Sequence, residues 1–389
     1  MGNMKMRIAK PQRGFTLLEL MIASAVGLLV IAAMTSLFKI GMDATFTVTQ
    51  RAETQQNMRA AIELMTKDIG MAGAGLPTGG LQLPTGAGAT VSKFACNQTG
   101  TCYVPVNTYP NNALGGANYM YGILPGFNNG VQNNAVIVNA PGQINSSLTT
   151  VYCDYNFPLT NFTFTFTSAT TVTVGVVNAG VQPNNILAAG GLNAGDVLLF
   201  MVSGPGNPAI GNTPVQSAAG VGEITSIPSN TAINFATGDP LNLNQTVGTN
   251  NLAQVALAGA GAGSSMTVCR LNVVTYFLQV PPAGGTVQTP RLMRQVNGFD
   301  AVPVADNIIN LQFTYDVIDS VLGTVTPNRA DPIGAGQSPS LIQKVNIWVL
   351  GQSLIQQGRK SQSMYLATSV SARDMSFCNS YSSSTTVCQ

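Results

Sequence analysis

The hydrophobic pattern changes character twice along this 389-residue chain. From Leu20 to Phe38 nineteen residues follow without a charge. As a helix they span ~28 Å, enough to cross a hydrocarbon core of ~30 Å. From Thr49 to Met71 the pattern turns amphipathic. Met58, Ile62, Met65 and Ile69 recur at helical spacing, with Arg59, Glu63, Lys67 and Asp68 assigned to the other faces. Glu63 and Lys67 stand one turn apart and form a favourable pair. Together the stretches predict one helix over 15–72, bare in its first half and packed in its second. Gly70, Gly73, Gly75 and Pro77 end it.

Residues 73–90 read as a Gly/Pro linker. Beyond them, short apolar or alternating runs bounded by Gly, Asn and Pro predict strands. They fall at 135–138, 162–167, 171–177, 197–202, 222–227, 268–280, 308–317, 341–350 and 364–371. The run Asn161–Thr167 alternates strictly, so Phe162, Phe164 and Phe166 are expected to face inward. No later helix signal matches the first in strength. The fold class is therefore α+β, a long N-terminal helix packed on an antiparallel β-rich C-terminal domain. That domain spans 266–389 with a Ser/Thr-rich tail, and a large β-rich insertion occupies 91–265.

Charge sharpens this picture. Only 8% of residues are charged, against about 25% in ordinary globular chains. Between Gly70 and Met266 the charges are Lys93, Asp154, Asp196, Glu223 and Asp239 alone. Histidine is absent, which removes the commonest general base and metal ligand. The glycine-rich Gly259–Gly263 precedes neither a GK[ST] nor a helix, so it reads as a loop and not a phosphate cradle. Asp196, Asp316 and Asp319 read as turn residues, and no calcium loop of the D-x-[DN]-x-[DN]-G type occurs. No catalytic residue, cofactor or metal is expected, and the chain reads as a non-enzyme. No basic stripe suggests nucleic acid.

The six cysteines, Cys96, Cys102, Cys153, Cys269, Cys378 and Cys388, lack the paired CxxC units of a zinc site. In an exported chain they read as disulfides. Six cysteines allow fifteen pairings. Easy closure of short loops favours Cys96–Cys102 and Cys378–Cys388. Elimination then leaves Cys153–Cys269, which ties the insertion to the C-terminal sheet.

The N-terminus carries the most information. Lys5, Arg7, Lys10 and Arg13 precede the apolar run, placing the leader in the cytoplasm and the bulk of the chain outside. Without those four, thirteen basic residues of the seventeen face fifteen acidic ones. The A-x-A of Ala23–Ala25 lies inside the run, so secretory cleavage after the run is a poor reading. Glu19 is the unusual residue. A carboxylate in an apolar helix costs about 2.5–3.5 kcal/mol when placed centrally, and such residues usually have a partner. Cleavage after Gly14 creates an ammonium at Phe15, one helical turn away.

With its basic leader, Gly14-Phe15-Thr16-Leu17-Leu18-Glu19-Leu20 resembles the class III signal of type IV prepilins and type II secretion pseudopilins. The resemblance implies that a prepilin peptidase cuts between Gly14 and Phe15 and methylates the new Phe15 nitrogen. It also implies that Glu19 pairs with a neighbouring subunit's N-terminus. Thr275–Leu278, Arg291–Arg294, Ile308–Tyr315, Val345–Leu350 and Ala367–Ser371 in order resemble PilW-type minor pilins, and so does Thr66–Gly73. Pseudopilins of the J class share the plan. The implied partners are other pilins or pseudopilins, the peptidase, the inner membrane before assembly, and a tip adhesin. The implied role is a minor pilin that primes assembly or sits at the tip, with a J-class pseudopilin or a pilin-anchored adhesin as alternatives. No proline stands between Pro11 and Pro77, so a straight helix is expected. The insertion resembles no family.

Overall fold

A computed structural model describes residues 14–77, 79–84, 91–111, 118–129, 131–133, 136–138, 144–157, 159–176, 191–204, 218–260, 263–280, 290–319, 323–353, 362–372 and 375. The chain divides into two compact units, Met1–Glu53 and Thr54–Gln389. Helix α1 (Leu17–Gly70) contributes to both. It starts at Leu17 because Gly14, Phe15 and Thr16 lie outside helical conformation, and it gives way to turns over 71–75.

All described strands belong to the second unit. They begin with β1 (Leu81–Gln82), β2 (Tyr119–Met120), β3 (Ile123–Gly126), β4 (Val131–Asn133), β5 (Val136–Val138) and β6 (Ser147–Cys153). Next come β7 (Phe162–Ser168), β8 (Thr171–Val176), β9 (Val197–Ser203), β10 (Ala218–Glu223), β11 (Ser226–Ser229) and β12 (Ala232–Asn234). A short helix, α2 (Leu252–Gly259), precedes β13 (Ser265–Val280), β14 (Arg291–Val296), β15 (Val302–Asp306) and β16 (Ile308–Ile318). The series closes with β17 (Val325–Arg329), β18 (Ile342–Gln352) and β19 (Ser363–Ser371).

The 16-residue β13 organises the largest sheet, whose main path runs β10-β9-β13-β14-β15. It pairs antiparallel with β9 over Ser265–Leu271, with β6 over Leu271–Tyr276 and with β14 over Val274–Gln279. Strands from either side of the 265/266 boundary thus share one sheet. The physical reason is that a central strand needs hydrogen-bonding neighbours on both edges, and β6 and β9 supply them. Smaller sheets run β11-β12-β8-β7 and β17-β16-β18-β19.

Both faces of the large sheet are covered, so β6 is buried at every position and β13 at every position from Val273 to Leu278. Val274, Tyr276 and Leu278 of β13 join a cluster with Met58, Ala61, Met65 and Ile69 of α1 and with Phe313 and Ile347. Leu271, Val273 and Phe277, on the opposite face, join Leu83, Phe94 and Tyr109. A third cluster sets Phe162 and Phe164 against Phe200, Phe235 and the α2 residues Leu252 and Val255. Each such side chain contributes about 1.5–3 kcal/mol by leaving water. Phe166 is only half-buried, its ring tilted 60° to that of Phe200 with centroids 5.1 Å apart. Gly351 of β18 lets α1 approach closely, since a Cβ there would lie 2.8 Å from Met58 Sδ.

Two expectations are corrected, and one element is added to them. The strand expected over 222–227 is two, because the chain turns after Glu223 to bury Ile224 and to bond Thr225 N to Asn234 O at 2.9 Å. The supposed linker lies along β6: Gly73 N donates to Val151 O at 2.9 Å, and Cys153 N donates to Ala74 O at 2.8 Å. Leu81 and Leu83, from the same stretch, are buried. Gly75 holds φ +74° there, and a Cβ would fall 2.6 Å from Cys153 Sγ, so both backbone and space select glycine. Finally, α2 is a helix that periodicity over eight residues is too short to reveal. Its signal is Asn251-x-x-Gln254: Asn251 Oδ1 accepts from Gln254 N at 3.1 Å, and Gln254 Oε1 accepts from Asn250 N at 2.6 Å.

The few charges of the low-charge stretch close its loops. Asp154 pairs with Arg270, whose guanidinium lies 4.1 Å from the Phe157 ring centre. Glu223, fully buried, accepts from Gln98 Nε2 and from Leu241 N at 3.3 Å. Asp239 beside it accepts from Leu243 N at 2.8 Å and Asn244 N at 3.0 Å. Burial, reinforced by Asp239, pushes the Glu223 carboxyl up to about 8. A group raised in the folded state stabilises fully below its unfolded value near 4.5, and that contribution is lost as pH rises through about 8. The thermal midpoint of the full-length protein in detergent is expected to fall across that window. Glu223→Gln keeps an amide where the protonated acid stands and should flatten the fall. Asp196 and Asp239, both also raised by burial, leave a residual slope. An identical slope in Glu223→Gln would exclude Glu223 as its source.

Candidate assembly site and the helix anchor

The first unit presents its chemistry at its start. Thr16 and Glu19 form a reciprocal capping box. Glu19 N donates to Thr16 Oγ1 at 3.3 Å, while Glu19 Oε2 accepts from Thr16 N and from Thr16 Oγ1, each at 3.0 Å. Three-residue spacing places both groups on the first turn, where helix N–H groups lack intrahelical acceptors and the helix dipole favours a carboxylate. Glu19 Oε1 accepts nothing from the described residues, so one oxygen caps while the other is free to receive a cation. Phe15 is 89% exposed, and Gly14 has open space around it.

The helix beyond is built for an apolar medium. Its most hydrophobic 18-residue window has a mean hydropathy of 2.4 and no buried share. By length and composition it can cross a membrane. Its few hydroxyls bond back to the helix itself: Ser24 Oγ to Met21 O at 2.9 Å and Thr35 Oγ1 to Ile31 O at 2.6 Å. No hydroxyl donor of those two is left unmet in lipid.

In the second unit the same helix is anchored by a residue placed on the wrong face by its charge. Thr54, Met58, Ala61, Met65 and Asp68 are its buried stripe, together with Ile69. Asp68 sits at the end of that stripe, and its side chain is 3% exposed. Its Oδ1 accepts from the Tyr152 hydroxyl at 2.8 Å. Its Oδ2 accepts from the Tyr276 hydroxyl at 2.5 Å and from Arg294 Nε at 2.9 Å. Burial, with the Asp68 charge added, pushes both phenols above their ordinary range, so both remain protonated donors. The carboxylate thus ties α1 to β6, β13 and β14. Heptad-like spacing of 54, 58, 61, 65 and 68 is the signal that finds it, once Asp is allowed on the stripe.

The structure joins Cys96 to Cys102 and Cys153 to Cys269, the latter linking β6 to β13 across 116 residues of sequence. Cys378 and Cys388 lie outside the described residues. Among the described residues, no three His, Cys, Asp or Glu side chains gather as a metal site.

Residues 9–35 match the family model described as the prokaryotic N-terminal methylation motif. No curated protein and no solved structure gives a match.

Proposed function

From the premise of a prepilin-type methylation signal on a pilin-like α+β architecture, we propose that this chain is a minor pilin acting at a filament tip or in priming. The coarser statement, a type IV pilin-like or pseudopilin subunit, rests on the signal itself. The supporting observation for the finer one is bulk. A compact unit spanning Thr54–Gln389 with three apolar clusters is carried on one helix. Pilin-type polymers grow by heterologous contacts that repeat without closing, and a head this large crowds a repeating shaft. In this reading the chain is not an enzyme. Its helix sits in the inner membrane with the second unit exported, then enters the filament beside other pilins. Quantitative mass spectrometry of sheared filaments should find it far below the major subunit; equal abundance would make it a shaft protein.

Maturation is tested at Gly14. The N-terminal peptide of the mature protein should begin at an N-methylated Phe15. Because space around Gly14 is open, Gly14→Leu should fold and insert normally yet stay uncut. Efficient cleavage of that variant, or an uncut wild-type leader where prepilin peptidase is active, would remove the basis of this reading.

A further inference from the structure

The outer face of the β17-β16-β18-β19 sheet is unlike the rest of the molecule. Strands β16 and β18 send Leu311, Phe313, Ile347 and Val349 inward to the helix-bearing core. Register places their alternate residues in outward rows: Gln312–Trp348–Ala367, and Thr314–Asn346–Ser369. A neighbouring row sets Asn310, Leu350 and Tyr365 side by side. Trp348 is the single tryptophan of the chain. It is 47% exposed, and Tyr365 is 72% exposed. Neither ring stacks on another, and neither polar tip hydrogen-bonds a described residue. The two residues are diagonal cross-strand neighbours, a placement whose backbones stand roughly 7–8 Å apart. Ala367, directly across from Trp348, is too small to cover its flank.

We propose that this face binds a neutral carbohydrate chain. A pyranose ring presents C–H bonds on its faces, which stack on an aromatic ring, and hydroxyls around its edge, which seek amide and hydroxyl partners. Trp348 and Tyr365 offer such ring faces with polar tips, and Gln312, Thr314 and Ser369 stand beside them. The charged residues that β16, β18 and β19 turn outward are Asp316 and Lys344, and they pair with each other at 3.5 Å. Among the described residues of these three strands, an ionic ligand therefore meets no unpaired charge. A flat protein partner would find only a small apolar spot inside polar rows, whereas protein interfaces need a broader dry centre. The inference is independent of the filament reading, because it uses only the sheet.

Trp348 also supplies the readout. Full-length protein in lipid nanodiscs is titrated with hexasaccharides of glucose and of N-acetylglucosamine, following tryptophan emission. At least one sugar should give a saturable shift. Tyr365→Ala should weaken it about tenfold, a change of ~1.4 kcal/mol. Trp348→Phe, silent in emission, should retain the protein on matching polysaccharide beads more weakly than wild type. Circular dichroism checks that both variants fold. Absence of any shift and of bead retention across both sugars would overturn the proposal. So would an undiminished shift in Tyr365→Ala. An emission shift that appears on concentrating the protein without sugar would assign the face to a second copy instead.

Discussion

Asp68→Ala is expected to destabilise the second unit by about 3 kcal/mol. Removing one partner of a buried ion pair typically costs about 3–5 kcal/mol, because the survivor keeps its desolvation penalty. The lower end applies here, since the Arg294 side chain remains 22% exposed and can partly rehydrate. Two phenol donors lose their acceptor in the same step. Asp68→Asn keeps one acceptor but sets an amide N–H₂ toward the guanidinium, so it should fall between. Urea unfolding of the full-length protein in detergent, followed by near-ultraviolet circular dichroism, measures the loss. Glu63→Ala, on the exposed side of the same helix, is the control. If the two variants shift the midpoint equally, Asp68 is not an anchor.

If the chain is the proposed filament subunit, Glu19→Ala and Glu19→Gln are each expected to enter filaments or initiation complexes about tenfold less well at equal membrane abundance. A hydrogen bond to a charged group contributes about 1.5–3 kcal/mol, and ~1.4 kcal/mol is a factor of ten. The two variants differ in what else they lose. Glutamine still serves as the third residue of a capping box, whereas alanine also forfeits about 0.5–2 kcal/mol of helix-end order. Thr16→Ala breaks the box but keeps the charge, so it should incorporate almost normally. Co-purification with the other pilins from sheared filaments and detergent extracts distinguishes the cases. Normal incorporation of Glu19→Gln would reduce Glu19 to a cap. Poor incorporation of Thr16→Ala would show that helix-end order, not charge, controls entry.

Much of this architecture is legible in the sequence where a period runs long enough to be unambiguous. The uncharged run and the Met58–Ile69 stripe define α1, and apolar or alternating runs bounded by turn residues define β7, β13, β16, β18 and β19 within a few residues. Short elements escape for a physical reason. Strands such as β12 and β14 show too few alternations to stand out from the loops around them, and their strand identity comes from neighbours far along the chain. The capping box of Thr16 and Glu19 is visible as T-x-x-E, yet Glu19 draws attention first as a costly charge and not as a cap. Asp68 is harder still. Its partners Tyr152, Tyr276 and Arg294 lie 84, 208 and 226 residues away, so its place on the 54, 58, 61, 65, 68 stripe is the one local sign that it is not a solvent-facing acid. The large sheet likewise ignores the composition boundary at 265/266, because strand pairing answers to hydrogen bonds and not to charge density.

The Asp68 cluster has a mechanical meaning. Any tension drawn along α1 reaches the second unit through a side chain gripped by three adjacent strands, β6, β13 and β14. Two of those strands are also welded by Cys153–Cys269. Load entering there is taken up by three paired strands together instead of by one edge strand alone.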